Sequence, residues 1–515
     1  MPRPKGVPPG RDGGSIRRRE RDTVSLRARL VTGSLYTLVS SLVVYGIAMV
    51  TTIIYARLLG PTTFGVLGIF LTLGATIIPF ATLGLNTAVT KYVAEQVRAD
   101  RSKAEAVLGV ALTLTLVTGG VLSIAYFLLA EPLARLYGQP ALVVLIRLSA
   151  SFLLVNTLGT IAQAVIQGFQ EIRRLAALNV SVQALGIPIT FGFVSAFGLL
   201  GAALGGVVFV SATLVASYAV LRPLLRARAL RLAPAWDRPT AKRLVRFSSP
   251  LLLSSLLMRP ALLLVATVVA LWLTYESLAY YRIATSLYRV VLLLPAVLSV
   301  PLLPAISEAY ATQSRERTRT QLTLLLRITM FLSLPLALLM GLGAPAWISI
   351  LYGSEYVAAA VVLFVLSFAA MVDTLASICE NTLIGTERTW FVLGLNAGQV
   401  GVLVVGTALL VPAHGVLGAA YASVASSLVY LAGALWELAR RGEIIVRELG
   451  DIALVSAGAF GASILLALRI GLGSLPAAAL LLAVVLAILV WRLTPRDRSL
   501  LRSAVRGALG LRGGP

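Results

Sequence analysis

Long apolar runs follow one another along almost the whole of this 515-residue chain. About 20 apolar residues in a helix cross the hydrocarbon core of a bilayer, and such a run leaves no room for a polar soluble fold. Only 13% of the residues are charged, whereas soluble domains carry about 25%. The runs also lack the ten-residue alternation of an outer-membrane barrel. The sequence therefore predicts an all-α polytopic membrane protein without a long soluble domain.

Fourteen transmembrane helices are predicted from the positions of these runs. Tight turns near Phe197, His414 and Gly473 separate neighbouring runs that would otherwise merge. An even number of spans places both termini on the same side of the membrane. The predicted spans are 32–56, 63–84, 105–129, 141–167, 175–196, 199–221, 247–272, 277–306, 322–348, 357–384, 389–411, 415–436, 450–471 and 474–492.

The net charge of +23 is concentrated in three segments, which are the arm 1–30, the stretch 222–246 and the tail 493–515. Alternate loops carry few basic residues. Because basic loops stay in the cytoplasm, this pattern predicts a multi-pass protein of the cell membrane with both termini inside. We attribute the excess charge to topology and to anionic membrane lipids, and not to nucleic acid.

Cysteine and histidine usage excludes several kinds of chemistry. Cys379 is the single cysteine, so a disulfide within the chain and a cysteine-based metal site are excluded. His414 is the single histidine, which excludes a histidine-dependent triad or a histidine-rich metal site within one chain. We expect no cofactor and no bound metal, and a protein that is not an enzyme.

An internal duplication is indicated by short matches that keep a constant register. Leu-Tyr-Gly occurs at 136–138 and again at 351–353, and each copy precedes a long apolar run. From Gly168 and Gly385 onward the two halves align without a gap. The further matches are Asn179 with Asn396, Thr190 with Thr407, and Gly198, Leu200, Gly201, Ala202 and Ala203 with Gly415, Leu417, Gly418, Ala419 and Ala420.

The duplication predicts two six-helix lobes, an N-lobe over 31–221 and a C-lobe over 247–438. Each copy holds an even number of spans, so the lobes are related by a pseudo-two-fold axis along the membrane normal, with a substrate site between them. Spans 13 and 14 (439–492) are additional. The basic stretch 222–246 is predicted as an inter-lobe linker, either an amphipathic helix on the inner membrane face or a solvated segment.

Four arginines lie inside predicted spans, where a charge costs several kcal/mol unless it faces a cavity or a partner. Arg259 in span 7 and Arg289 in span 8 are too deep to reach the membrane surface easily. Arg282 shares a helical face with Arg289, seven residues away. Arg147 and Arg282 lie a turn or two from the outer side, so a snorkelling role is the alternative for both. The set predicts binding of an anionic headgroup or phosphate.

Three acidic residues and a pair of asparagines complete the candidates. Asp373 at the centre of span 10 and Glu380 on the same face predict either salt bridges to the arginines or coupling to H+ or Na+. Glu308 at the end of span 8 predicts a gate or a helix cap. Asn179 and Asn396 are expected to form interhelical hydrogen bonds.

Several motifs resemble those of polysaccharide exporters and flippases. The stretch Ala56-Arg57-Leu58-Leu59-Gly60-Pro61-Thr62-Thr63-Phe64-Gly65 resembles their first-loop signature, and Leu303-Pro304-Ala305-Ile306-Ser307-Glu308 resembles the end of their span 8. The segments Gly84-Leu85, Ala88-Val89 and Lys91-Tyr92-Val93-Ala94-Glu95 resemble the region after span 2. The family belongs to the multidrug/oligosaccharidyl-lipid/polysaccharide exporter superfamily.

This resemblance implies a flippase that moves a polyprenyl-(pyro)phosphate-linked oligosaccharide from the inner to the outer leaflet by alternating access, with ion coupling left open. The similar lipid II flippases place cavity arginines on spans 1 and 2, where this chain has none, so the resemblance favours another lipid-linked glycan. The alternatives are an organic-cation or drug antiporter of the same superfamily, and a membrane glycan polymerase or ligase. The expected partners are the lipid-linked oligosaccharide and membrane lipids.

Overall fold

The structure is a computed structural model that describes residues 13–97, 100–293, 315–386, 388–471 and 475–492. Within these ranges all regular elements are helices. In chain order they are α1 (Gly13–Thr82), α2 (Leu85–Gln96), α3 (Arg101–Leu128), α4 (Ala130–Leu136), α5 (Ala141–Gly168), α6 (Ile172–Ala227), α7 (Arg238–Trp272), α8 (Tyr275–Val291), α9 (Arg315–Leu342), α10 (Ala344–Leu351), a 3-10 turn (Ser354–Tyr356), α11 (Ala359–Gly385), α12 (Thr389–His414), α13 (Val416–Arg440), α14 (Val446–Ile470) and α15 (Leu475–Arg492).

Ten of the described helices are long and apolar enough to cross a membrane. This count is lower than the fourteen predicted spans for two physical reasons. First, α1 and α6 are each two helices joined at a kink, at Gly60 and at Gly198. Second, α8 is described over 17 residues, and the apolar part of α15 is also short. The sequence therefore predicted the class of fold, an all-helical bundle of membrane-spanning helices.

Two similar turns lie at Gly198 and Gly415, close to the predicted turns at Phe197 and His414. Their backbones adopt nearly the same conformation, φ 54° and ψ −129° at Gly198, and φ 59° and ψ −143° at Gly415. Only glycine adopts these angles without strain. A Cβ at Gly201 or at Gly418 would lie 1.9 Å or 2.3 Å from a carbonyl oxygen of the preceding helix. In both pairs, the two helices are therefore in direct backbone contact beside the turn.

The buried apolar residues form one shared core at one end of the bundle and two separate cores at the other end. The shared core joins side chains of α1, α4 and α5 to those of α8, α10 and α11, among them Phe64, Tyr137, Ile283 and Tyr356. We call this the closed end; it is the end where α1 bends at Gly60. Away from it, one core lies within α2, α3, α5, α6 and the start of α7, and another within α9 and α11–α15.

The stretch 222–246, predicted as a linker that is either an amphipathic helix or a solvated segment, is divided between the ends of two long helices. Residues 222–227 complete α6, and 238–246 begin α7, so only a short connection lies between two long helices. Asp237 caps α7 by accepting a hydrogen bond from the backbone N–H of Thr240 at 3.1 Å. Arg228 and Arg243 pair with acidic residues of the N-lobe. These ion pairs hold the two ends of the connection against Glu171 and Glu95 of the N-lobe.

Candidate functional site

A cavity of about 630 Å³ lies between the two halves of α1 on one side and α7 and α8 on the other. Three of the four predicted intramembrane arginines line it, namely Arg259, Arg282 and Arg289. Its remaining polar lining consists of threonine, serine and tyrosine side chains, with no carboxylate among the described lining residues. The part contributed by α1 is uncharged, as the sequence predicted. The cavity is therefore a cationic chamber between the predicted lobes.

Arg259 and Arg289 lie at matching depths on neighbouring helices. With a rise of 1.5 Å per residue, each is about 20 Å from the closed end, where α7 ends and α8 begins. Both residues are exposed, and neither guanidinium forms an ion pair or a hydrogen bond with the residues that the structure describes. The dry ion pairs that would have excluded an anion site are thus not formed within the described ranges.

Arg282 has a different environment, although it shares the face of α8 with Arg289. Its Nη1 donates to the carbonyl oxygen of Gly68 at 2.9 Å and to Oγ1 of Thr72 at 3.0 Å, both on α1. A Cβ at Gly68 would lie 2.5 Å from Cδ of Arg282, so the glycine makes room for this side chain. Its buried Nε has no partner among the described residues. Arg282 therefore links α8 to α1 by hydrogen bonds, at a position nearer the closed end than Arg259 and Arg289.

Arg147, predicted as a fourth headgroup ligand, is not among the residues that line this cavity. It is exposed on α5, with Nη2 4.0 Å from a carboxylate oxygen of Glu131. Its guanidinium lies over the ring of Phe127, 5.3 Å from the ring centre. Arg147 is close to the closed end of its helix, so the snorkelling alternative describes its position better.

The predicted carboxylates do not pair with the cavity arginines. Asp373 accepts a hydrogen bond from the Tyr288 hydroxyl of α8, and within the described chain it forms no ion pair. Glu380, half-buried on α11, likewise has no ion-pair partner there. Within the described ranges, neither carboxylate therefore forms a salt bridge to an arginine. Glu308, predicted as a gate or cap, lies outside the described residues.

Sequence reasoning missed a set of hydrogen bonds that joins the lobes at the closed end. Arg57 donates from Nε to the carbonyl oxygen of Leu351 at 2.8 Å and from Nη2 to that of Ile350. The Tyr356 hydroxyl donates to the carbonyl oxygen of Ala56 at 2.7 Å. Burial raises the pKa of Tyr356, so its hydroxyl stays protonated and available as a donor. The arginine thus satisfies the free carbonyl groups at the end of α10.

A second group of contacts closes the same end from the other side of α1. The Tyr137 hydroxyl and Oγ1 of Thr267 are 2.7 Å apart, and the Tyr275 hydroxyl donates to the carbonyl oxygen of Tyr137. A Cβ at Gly65 would lie 1.8 Å from the carbonyl oxygen of Tyr275, so the backbones of α1 and α8 are in direct contact. The first-loop signature is therefore the N-lobe surface of the closed end.

A smaller cavity of about 360 Å³ lies within the N-lobe, between α1, α5 and α6. Its described lining is mostly polar and carries no charge, and it includes Asn179, which matches Asn396 in the predicted repeat. Tyr45 of α1 lines both this cavity and the larger one, so the two adjoin. The full lining is Ser40, Ser41, Val44, Tyr45, Gln163, Asn179, Val182, Gln183, Phe209 and Thr213.

At the end opposite the closed end, ion pairs flank helices that the predicted duplication matches with each other. In the N-lobe, Glu171 before α6 pairs with Arg228 after it, at 3.2 Å. In the C-lobe, Arg388 before α12 pairs with Glu443 after α13. By the gap-free alignment of the halves, Glu171 corresponds to Arg388, so the charges are reversed while the bridge is kept. Sequence matching could not detect this, because the residue types differ.

The sequence profile of a family described as Polysaccharide biosynthesis protein matches residues 54–361, more than half of the chain. The chain belongs to this family. The chain is also 25% identical over 418 residues to the lipid III flippase of Escherichia coli (strain K12). This alignment covers 78% of this chain and 96% of that protein. Over 168 residues it is 26% identical to the succinoglycan biosynthesis transport protein ExoT of Rhizobium meliloti (strain 1021), 32% of each chain.

Two solved structures show the fold of this family member. The lipid II flippase MurJ in an inward closed conformation superposes with a TM-score of 0.66 at 13% identity, covering 88% of this chain and 97% of that one. An inward-facing multidrug resistance MATE family transporter of the MOP superfamily gives a TM-score of 0.63 at 19% identity, covering 77% and 94%. The chain therefore has the fold of this superfamily, as its motifs predicted.

Proposed function

We propose that this protein is a flippase that carries a polyprenyl-(pyro)phosphate-linked oligosaccharide from the inner to the outer leaflet of the cell membrane. The observation that carries the proposal is the cavity in which Arg259 and Arg289 are exposed and free of described partners. Its described lining contains no carboxylate that could neutralise them. The family and the lipid III flippase relative support the same class of substrate.

The chemistry of arginine suits the phosphate of a lipid carrier. A guanidinium presents a planar fork that engages two phosphate oxygens and stays charged at any physiological pH. Keeping two such charges at this depth costs several kcal/mol unless water or an anion reaches them. A bound (pyro)phosphate offsets that cost, while the polyprenyl tail stays in lipid. Moving the headgroup in this way requires no covalent step, so we propose a transporter and not an enzyme.

The proposed topology has fourteen crossings, with α1 and α6 contributing two each and α8 and α15 one each. The lobes are two six-helix repeats, which the shared turn geometry of Gly198 and Gly415 supports. Both termini are cytoplasmic, because the basic segments 1–30, 222–246 and 493–515 lie on one side of this topology and basic loops stay in the cytoplasm. The closed end then faces outward, and the structure represents an inward-facing state.

Alternating access follows from the distribution of the cores. The two cores away from the closed end are already separate, so the lobes can approach there without losing buried contacts. The shared core and the hydrogen bonds of Arg57 and Tyr356 must part to open the other side. We propose that the lobes rock about the cavity between these two arrangements.

Ion coupling is proposed to involve Asp373, whose described partner is a neutral hydroxyl and not an arginine. A carboxylate in this setting can exchange H+ or bind Na+, and Tyr288 links it to the helix that carries Arg289. The drug-antiporter alternative shares the fold, as the MATE relative shows. The cavity does not favour it, because an organic cation would face three arginines and no described lining carboxylate.

Reconstitution of the purified protein with a fluorescent lipid-linked sugar tests the proposal. We expect Arg259→Ala together with Arg289→Ala to slow flipping by at least about tenfold, since charge-assisted hydrogen bonds contribute about 1.5–3 kcal/mol each. The matched control is Arg135→Ala together with Arg147→Ala, which removes the same charge outside the cavity. Parent-like flipping by the cavity variant, or an equal loss in the control, would refute the cationic site.

A further inference from the structure

We propose that the smaller cavity of the N-lobe is a binding subsite for a neutral sugar ring of the lipid-linked substrate. This inference rests on the proposed function and extends it, since it assigns the phosphate and the sugar to different cavities. The subsite consists of the amides of Gln163, Asn179 and Gln183, with Tyr45 and Phe209 beside them.

The amides of this cavity are unusual because helix packing does not use them. The side-chain amides of Asn179 and Gln183, one turn apart on α6, make no hydrogen bond with any described residue. Gln163 reaches Oγ of Ser217 at 3.4 Å, which is long for a hydrogen bond. Thr213 shows how a polar side chain in a membrane helix is usually paired. Its hydroxyl donates to the carbonyl oxygen of Phe209, one turn earlier in the same helix, at 2.7 Å. Polar groups in membrane helices are costly when unpaired, so two unpaired amides and a third with one long hydrogen bond, all lining one cavity, indicate a ligand.

The functional groups of the cavity match those of a sugar. Each side-chain amide offers both donors and an acceptor, and each sugar hydroxyl also donates and accepts, so the two can pair in several arrangements. The described lining carries no charge, which removes any preference for phosphate or for a cation. Aromatic side chains offer apolar surface to the less polar face of a sugar ring. The volume of about 360 Å³ is at the lower end of ligand pockets, which suits a single ring rather than a long glycan.

Tyr45 connects the two cavities, so one substrate molecule can occupy both. It lines each of them, and it lies about 22 Å along α1 from the kink at Gly60, by the rise of an α-helix. Arg259 and Arg289 lie at a similar depth, about 20 Å from the same end. A phosphate held by these arginines therefore places its attached sugar at the level of Tyr45. The first sugar of the glycan would then enter the amide-lined cavity.

The test measures binding of two probes by the full-length protein in nanodiscs. One probe is undecaprenyl diphosphate, and the other is the same lipid carrying N-acetylglucosamine. We expect the sugar to tighten binding to the parent by about tenfold, the contribution of one or two added hydrogen bonds. Asn179→Ala together with Gln183→Ala should abolish this increment and leave the dissociation constant of undecaprenyl diphosphate unchanged.

The matched control is Asn396→Ala together with Gln399→Ala, which removes the same two residue types from α12 of the other lobe and should keep the increment. Thermal unfolding shows whether each variant is folded, and Gln183→Met alone provides a milder test with the same probes. A parent that gains nothing from the sugar, or an N-lobe variant that loses both probes equally, overturns the subsite. Failure of the proposed function gives a different result. In that case, the variant Arg259→Ala with Arg289→Ala would bind undecaprenyl diphosphate as tightly as the parent.

Discussion

Replacing Arg57 by alanine is expected to loosen the closed end and shift the protein toward an outward-open state. The side chain crosses from α1 to the end of α10, where it donates to two carbonyl oxygens. Both bonds join one lobe to the other. Both bonds break when the lobes separate at this end. They therefore stabilise the closed arrangement and not the outward-open one.

The size of the effect follows from the number and exposure of these bonds. Hydrogen bonds from a charged donor contribute about 1.5–3 kcal/mol when water is excluded. Arg57 is an exposed residue, so water competes, and we take about 1 kcal/mol for each bond. The buried Tyr356 hydroxyl adds about 1 kcal/mol through its bond to Ala56. Arg57→Ala alone should therefore raise the ratio of open to closed molecules by about 30-fold, and addition of Tyr356→Phe should raise it further.

Distance measurements between spin labels across the closed end provide the assay. Val144 of α5 and Val361 of α11 are exposed near this end, on opposite lobes, and each can be replaced by a labelled cysteine. The native Cys379 is buried, so Cys379→Ala removes it with little change in packing. We expect a longer-distance component to grow in Arg57→Ala.

Arg135→Ala is the matched control, because Arg135 lies at the same end and its ion pair is with Glu131 of its own helix. A distance distribution for Arg57→Ala that equals the parent would refute the reasoning. So would an equal shift in Arg135→Ala, since the effect would then follow from the lost surface charge and not from the inter-lobe bonds.

Three further outcomes are expected. Gly198→Ala should lower the unfolding free energy by about 1–3 kcal/mol, because alanine avoids the backbone angles of Gly198. Thermal unfolding should show no such loss for the control Gly192→Ala, which adds a Cβ in open space. Equal losses in the two variants would contradict this reasoning. Arg388→Ala should destabilise by about 3 kcal/mol, since two buried glutamates lose their shared arginine; a parent-like melting temperature would refute it. Asp373→Asn should abolish any response of flipping to a pH gradient across proteoliposomes, and a retained response would remove this residue from ion coupling.

The fold could be predicted well because it depends on local properties of the sequence. Apolar runs determine which segments are membrane helices, and glycines that end a run locate the turns, as at Gly198 and Gly415. The break between α1 and its second half was also predictable from Gly60-Pro61. The bounds of the connection 222–246 were less predictable, because a polar composition does not show whether a basic segment continues the neighbouring helices. Here capping by Asp237 decided where α7 begins.

The contacts of the closed end could not be predicted, since they depend on which helices of the two lobes meet. Arg57 was visible in the sequence only as a loop residue of the first-loop signature. Its partners are backbone carbonyl groups almost three hundred residues away, and backbone acceptors carry no sequence signal. The structure explains the signature physically. Ala56 accepts a bond, Arg57 donates two, Phe64 packs edge-on against Tyr356, and Gly65 allows α8 to approach.

The four arginines show where sequence reasoning about a membrane site stops. Residue type makes Arg147, Arg259, Arg282 and Arg289 candidates alike, because each lies in an apolar run, and depth separates only the first and third from the other two. What separates them is the direction in which each helix faces, and that depends on the packing of its neighbours. α5 turns Arg147 toward Phe127 and Glu131, whereas α7 and α8 turn their arginines toward α1. Depth identifies candidates, and the arrangement of helices around a cavity decides which of them can hold an anion.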